Sequence, residues 1–377
     1  MSDNHFSHLN DKKLALFFTF GNGLEMWQKV GMLERELAIY RALAETLNTI
    51  YLVTYQEHDA EFQNILPKNI IVLPKNYPIP NILYSCLIPF IYARELRTCD
   101  LLKTNQLLGS WSAMLAKLFF HKKLIVRTGY TASQFYVRAK KYLHAFGASM
   151  LEHFAFLFAD AFVVASEDDQ KWLKQKQKTT VIPNYVDTDF LYPYKKMEQE
   201  EISLLFVGRL EEQKNLFALF EALKGFSHVK LSVVGSGSLR EPLENFAKAN
   251  HLPVQFLGNV PFEQLKSYYQ STTMFVLPSY FEGTPKVLLE AMSCGLPVIA
   301  SDVQGIQNII THEKNGFLCS TDSASIANAI RTLSQNVHFQ ETLGQNARTF
   351  ILENFSLRSV LEKELSLYDQ ILTKIIR

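Results

Sequence analysis

Short β-branched or aromatic runs alternate with longer helical stretches along nearly the whole chain, and this alternation restricts the fold more than any other feature. Leu14–Phe20, Thr49–Val53, Ile70–Leu73, Leu101–Thr104, Leu124–Arg127, Phe162–Ala165 and Thr180–Ile182 read as one series of strands. Leu204–Val207, Leu231–Val234, Val254–Leu257, Met274–Leu277 and Val298–Ala300 read as a second. Strands separated by helices pair in parallel, with helices on both faces of the sheet. Between the series, Pro193–Glu201 is polar and reads as a linker. The expected architecture is α/β, with two doubly wound domains over residues 1–192 and 193–355 facing across a cleft. The last segment, about 356–377, carries Leu361, Leu365, Tyr368 and Leu372 at helical spacing and is expected to pack back on the first domain. Ligands of open α/β sheets bind beyond the carboxyl ends of the strands, so the informative residues should follow strands directly.

Bulk properties narrow the function by exclusion. A length of 377 residues exceeds one ordinary core. The net charge of +1 gives no support to nucleic-acid binding. Cys86, Cys99, Cys294 and Cys319 form no CxxC pair, so neither a disulfide framework nor a zinc site is indicated. Met1–Lys13 lacks the order of a signal peptide. The most apolar stretch, Ala145–Ala165, contains Glu152, His153 and Asp160, which a bilayer span would not readily bury. These features predict a cytoplasmic protein, with peripheral contact at the inner face of a membrane left open.

Three strand exits carry chemistry. After Leu204–Val207, Gly208 allows a tight exit, Arg209 projects from the strand end, and Lys214 precedes Asn215, a candidate N-cap. Two cations before a helix N-terminus suit a diphosphate, although two solvated surface charges would look the same. After Val233 and Val234, Gly235 and Gly237 mark a glycine-rich turn near the ligand, but Arg240 stands at the third glycine position and excludes a dehydrogenase fingerprint. After Met274–Leu277, Glu282 lies in a loop, Thr284 is a candidate N-cap and Pro285 a first helical residue. Gly295 then ends that short helix and Pro297 prevents its continuation. Side chains lean toward a helix N-terminus, so Glu290 is expected to reach back toward the cleft, roughly 10 Å from Glu282. That spacing suits two acceptors of sugar hydroxyls better than a retaining glycosidase pair, while a solvated Glu290 is the bland alternative.

The stretch from Phe281-Glu282-Gly283-Thr284-Pro285 to Glu290-Ala291-Met292-Ser293-Cys294-Gly295 resembles the Glu-x7-Glu signature of the retaining family 4, or group 1, glycosyltransferases. Gly208-Arg209-Leu210 with Lys214-Asn215, Ile182-Pro183-Asn184-Tyr185-Val186-Asp187 and Asn315-Gly316-Phe317-Leu318 resemble further elements of that family in the same order. The resemblance implies a GT-B fold of two Rossmann-like domains, the donor held mainly by the second, and a retaining, hexosyltransferase-like enzyme that moves a sugar from a nucleotide-diphosphate sugar to a glycan or lipid-linked acceptor, in cell-surface polysaccharide or glycolipid synthesis. It places Glu290 on the nucleotide ribose, Glu282 on the transferred sugar, Arg209 and Lys214 on the diphosphate, and the amides of Gly283, Thr284 and Pro285 against sugar or phosphate. Glu282, Arg209 and Lys214 are the catalytic candidates. It implies no cofactor and no metal, the cation pair and helix dipole stabilising the leaving diphosphate. Asp187-Thr188-Asp189 spells a metal motif of a different fold and is read as interdomain loop. A catalytically silent protein that only binds nucleotide sugars is the alternative, and donor hydrolysis or transfer would separate the two.

The first half departs further from the family. Gly21 and Gly23 follow the first strand, where glycine allows close approach to donor or acceptor. Arg127-Thr128-Gly129-Tyr130 stands where many family members have a histidine, and Arg127 either binds an acceptor anion or forms a structural ion pair. Leu101–Met150 contains no Asp or Glu but carries Lys103, Lys117, Lys122, Lys123, Arg127, Arg138, Lys140 and Lys141. Such a face suits an anionic membrane or a lipid-phosphate acceptor; a solvated face balanced by acids elsewhere is the alternative.

Overall fold

The computed structural model describes residues 6–129, 132–138, 140–173, 178–194 and 201–373. Most of the expected linker, including Lys195, Lys196, Glu198 and Glu200, lies outside them, as does Tyr130. Among the described residues, the chain divides into two compact units, Met1–Pro183 with Val360–Arg377, and Asn184–Ser359.

The first unit is built on a seven-stranded parallel sheet: β1 Lys13–Phe17, β2 Thr49–Val53, β3 Ile70–Leu73, β4 Leu101–Thr104, β5 Lys123–Thr128, β6 Ala161–Val164 and β7 Thr179–Val181, in the order β3-β2-β1-β4-β5-β6-β7. Its helices are α1 Leu24–Lys29, α2 Leu33–Ala44, α3 Asn81–Ile91, α4 Ala93–Thr98, α5 Ser110–Phe120, α6 Ala132–Arg138, α7 Tyr142–Phe158 and α8 Glu167–Trp172. Side chains alternate across the sheet: Ala15, Phe17, Leu102, Leu124, Val126 and Phe162 share one core with Tyr84 and Ile88 of α3 and Ala113 and Ala116 of α5.

The second unit holds β8 Ile202–Val207, β9 Val229–Val234, β10 Val254–Gly258, β11 Met274–Leu277, β12 Val298–Ser301 and β13 Phe317–Cys319, in the parallel order β10-β9-β8-β11-β12-β13. The strand β13 occupies the segment read from sequence only as an Asn-Gly-Phe-Leu turn. The helices are α9 Leu216–Leu223, α10 Arg240–Ala249, α11 Phe262–Ser271, α12 Lys286–Ser293, α13 Ser323–Ser334 and α14 Val337–Asn354; the last helix, α15 Leu357–Thr373, begins here but lies mostly in the first unit. Both sheets reverse their winding beside the first strand of the unit, at β1/β4 and at β8/β11. Those reversals are where loops at the carboxyl ends diverge and leave room for a ligand.

The division between units falls nine residues before the composition break at 193, because residues 184–191 bond to the second unit. Val186 N–H donates to the Phe355 carbonyl at 2.8 Å, and Leu357 N–H donates to the Val186 carbonyl at 2.8 Å. Arg348 donates to the carbonyls of Thr188, Leu191 and Ser293. From Val360 onward, α15 belongs to the first unit, where its buried Glu364 accepts from Lys103 Nζ at 2.7 Å. Among the described residues, no helix is long and apolar enough to cross a membrane. Burial pushes the thiols of Cys99, Cys294 and Cys319 up to about 12, so these sulfurs are core atoms rather than nucleophiles.

Candidate functional site

Two loops of the second unit lie side by side because their strands do: β8 pairs with β11, with Leu204 opposite Met274. The loop after β8 carries Gly208, Arg209 and Lys214; the loop after β11 carries Ser279, Glu282, Gly283 and Thr284. Lys214 Nζ donates to Glu282 Oε1 at 2.5 Å, and Ser279 Oγ donates to the same oxygen at 2.6 Å. Both charged side chains are largely buried, 10% and 7% exposed, so this ion pair is shielded and geometrically fixed. The structure therefore brings together two residues that the sequence suggested for separate jobs. Arg209 is exposed at the end of β8.

The loop holding Glu282 is anchored on every side. Asn215 Nδ2 donates to the carbonyls of Pro278 at 3.0 Å and Thr321 at 2.8 Å. Gln213 Nε2 donates to the Phe281 carbonyl at 2.8 Å, while Tyr280 N–H donates to the Gln213 carbonyl at 2.9 Å. Asn184 Nδ2 donates to the Thr284 carbonyl at 3.0 Å, and Ser301 Oγ donates to the Ser279 carbonyl. Gly305 has φ +90°, and a Cβ there would lie 2.2 Å from the Gly283 carbonyl oxygen. Only glycine lets the loop after β12 press so closely on residues 282–283.

Several expectations need correction. Asn215 is the residue before α9, but it sits in the left-handed region at φ 54° and makes no side-chain cap; its amide serves the neighbouring loop. Thr284 makes no cap either: α12 starts one residue later than expected, with Pro285 in the capping position and no side-chain cap bond. The stop of α12 follows the sequence closely. Gly295 at φ 68° lets Leu296 N–H donate to the Ala291 carbonyl and its own N–H to Met292.

Glu290 is 1% exposed and accepts from Tyr269 Oη at 2.9 Å. It is thus a buried, oriented carboxylate, and the solvated alternative is excluded. Gly235, expected beside a ligand, packs closely on its own fold: φ is +129°, and a Cβ would lie 1.9 Å from the Gly208 carbonyl oxygen. Gly237 approaches Leu210 in the same manner, with 2.4 Å to the Leu210 carbonyl oxygen. These glycines hold the loop that presents Arg209. Asp187 Oδ1 accepts from the N–H groups of Asp189 at 3.1 Å and Phe190 at 3.0 Å, which makes it a turn former.

In the first unit, Gly21 adopts φ 79° after β1, and Gly23 is tight against Asp59, where a Cβ would lie 2.0 Å from a carboxylate oxygen. Asp59 Oδ1 accepts from Glu25 N–H at 2.8 Å, and burial pushes its carboxyl above the usual range. Arg127 takes the structural alternative: it donates to Glu364 Oε1 at 3.2 Å and to the Pro183 carbonyl at 3.3 Å. Lys103 also pairs with Glu364, and Lys117 and Lys123 with Asp160. Half of the run that looked uniformly basic is therefore balanced by acids beyond it. Tyr269, Ser279, Ser301 and Gly305 escaped the sequence reading. Only Gly305 gave a signal, as a glycine in the turn after β12.

The profile of group 1 glycosyl transferases matches residues 193–350, and that of glycosyltransferase family 4 matches residues 37–190. The two run consecutively through both units. The chain belongs to the group 1, family 4-type glycosyltransferases. An uncharacterised glycosyltransferase of Methanocaldococcus jannaschii is 33% identical over 178 residues, 46% of this chain and 46% of the relative. The Escherichia coli UDP-Gal:α-D-GlcNAc-diphosphoundecaprenol α-1,3-galactosyltransferase is 29% identical over 55% of this chain and 60% of that protein. The matched portion thus spans about half the length of these curated relatives. A sucrose-phosphate synthase of Thermosynechococcus elongatus superimposes with a TM-score of 0.78 at 22% identity, over 97% of this chain and 100% of that one, which shows the GT-B fold.

Proposed function

We propose that this family member is a retaining, hexosyltransferase-like enzyme. It would move a sugar from a nucleoside-diphosphate sugar to a glycan or lipid-linked acceptor in cell-surface polysaccharide or glycolipid synthesis. The observation that carries the reading is the Lys214–Glu282 pair, fixed by Ser279 where β8 and β11 diverge. Glu282 holds the lysine ammonium in position before any donor arrives, so little reorganisation is needed when a diphosphate comes within reach. The remaining carboxylate capacity of Glu282 can accept from a sugar hydroxyl. Arg209, exposed at the end of β8, adds a second cation. The N-terminal amides of α12, an eight-residue helix, point their dipole at the same anion. Glu290, oriented by Tyr269, is the acceptor assigned to the nucleotide ribose. The E. coli relative, whose name specifies a UDP-sugar donor and a diphosphoundecaprenol acceptor, supports a donor and acceptor of these classes.

The charge on the leaving diphosphate is met by Lys214, Arg209 and the helix terminus, so transfer is expected to persist in excess chelator. A panel of nucleotide sugars followed by thermal shift tests donor binding: one donor should stabilise the wild type, and Glu290→Ala should lose that shift. NMR of the product reports the anomeric configuration, and inversion would refute the retaining assignment. Donor binding without hydrolysis or transfer would leave the protein a silent binder.

A further inference from the structure

Three of the helices on one side of the first unit's sheet lack the polar outer face of ordinary surface helices; the short α4 beside them keeps Arg94, Glu95 and Arg97. α3 contains no charged residue, α5 only Lys117, and α7 only Glu152. Neither of those two charges is free on the surface. Lys117 is paired with Asp160, and Glu152 is buried, accepting from Ser133 N–H at 3.0 Å and Ser133 Oγ at 2.6 Å. By contrast α2, also of the first unit, carries Glu34, Arg35, Glu36 and Arg41. The apolar character of α3, α5 and α7 is not spent on the core. Tyr84, Ala113 and Ala155 face inward. Phe90, Phe119, Leu143, Phe146 and Leu157 face out, Leu143 at 82% exposure and Phe146 at 66%. Phe90 and Phe119 stack across the α3–α5 boundary with ring centroids 4.8 Å apart. A cavity of about 490 Å³ between α6 and α7, lined by Val137, Phe146 and Phe156 but also by Ser149, Glu152 and His153, opens beside these residues.

Exposed apolar side chains on three neighbouring helices mark a surface that something covers. The charges flanking the helices say what. Lys140 and Lys141 are exposed just before α7, Lys122 follows α5, and exposed Arg94 follows α3. Apolar side chains with a basic rim fit the interface of an anionic bilayer, where the chains enter the acyl boundary and the cations meet lipid phosphates. A second copy of the chain on this face would bury the same basic rim against itself. We propose that the outer face of α3, α5 and α7 is a docking surface for an anionic membrane. The surface differs from the one the sequence suggested. The lysines on and beside the sheet are consumed by ion pairs, and the aromatic and aliphatic residues of three helices supply the contact.

Flotation of the full chain with vesicles tests this without any donor or acceptor, so its outcome is independent of the transfer reading. The protein should float with phosphatidylcholine vesicles containing phosphatidylglycerol and much less with phosphatidylcholine alone. Leu143→Glu with Phe146→Glu should weaken flotation about tenfold or more, with unchanged melting temperature because both positions are exposed. Phe90→Glu with Phe119→Glu repeats the test on α3 and α5, should the α7 variant melt early. Lys140→Glu with Lys141→Glu should remove most of the preference for anionic lipid and its sensitivity to salt. Wild-type protein that fails to float, or apolar variants that float equally well, would overturn the proposal. So would a wild-type dimer that the apolar substitutions convert to monomer without any vesicle binding, which would assign the face to a second copy.

Discussion

Each unit buries a lysine–glutamate pair, and the two pairs sit in different settings. Lys214 and Glu282 sit on neighbouring loops, 10% and 7% exposed, with Ser279 the further donor to the carboxylate. Lys103 and Glu364 lie deeper, 2% and 3% exposed, and Glu364 also accepts from Arg127. Tyr368 Oη accepts from Lys103 Nζ at 3.1 Å, so the inner pair is hydrogen-bonded on several sides. Burial alone would raise the Glu364 carboxyl, but Lys103 and Arg127 hold it below the usual carboxylate range. On the proposed reading, the outer pair meets an incoming anion. The inner one joins the last helix to β4 and β5 and has no partner to offer a ligand. Burial of a charge pair therefore does not by itself mark a functional site; position at the carboxyl ends of diverging strands is the better guide.

The largest expected effect comes from breaking the inner pair. Glu364→Gln leaves Lys103 buried without its counter-charge and should cost about 3–5 kcal/mol of stability in denaturant unfolding. Adding Lys103→Met, with leucine in place of Glu364, should restore much of that loss, which would mark the pair as replaceable by apolar packing. The pH dependence has a definite sign. A carboxyl lowered in the folded state stabilises above its unfolded pKa, so the Glu364 contribution fades as pH falls through the folded value, and urea midpoints should drop on acidification. Glu364→Gln should flatten that slope.

The outer pair should respond in catalysis. Lys214→Met is expected to slow transfer about 10²–10³-fold in steady-state assays, the loss typical of one preorganised charge stabiliser. Its stability cost should stay near about 1–3 kcal/mol, because Glu282 keeps Ser279. A large stability loss with unchanged turnover would make the outer pair a second structural joint. Gly305→Ala probes the same loop from behind. Its φ of +90° and the 2.2 Å approach to the Gly283 carbonyl predict strain of about 1–3 kcal/mol and a raised KM for donor. The smallest effect is expected of Tyr269→Phe, which removes one hydrogen bond to Glu290. About 1 kcal/mol, read as up to tenfold weaker nucleotide affinity in calorimetry, is the expected scale.

The sequence alone determined the parallel α/β class, the positions of most strands, the stop of α12 at Gly295 and the two loops that carry Arg209, Lys214 and Glu282. Those features rest on local patterns, namely periodicity of apolar residues, glycine at strand exits and residue types at short spacings. Tertiary structure decided the rest. Lys103 and Glu364 are 261 positions apart and meet only because the last helix returns to the first sheet. Gly235 owes its identity to the Gly208 backbone on the neighbouring strand exit, and Asn215 to carbonyls at positions 278 and 321. The run from Leu101 to Met150 looked like a basic face because its balancing acids, Asp160 and Glu364, lie outside it. A pattern within one element is written in its own residues. The partner of a side chain is set by whichever distant element the fold brings beside it, and no local spacing records that.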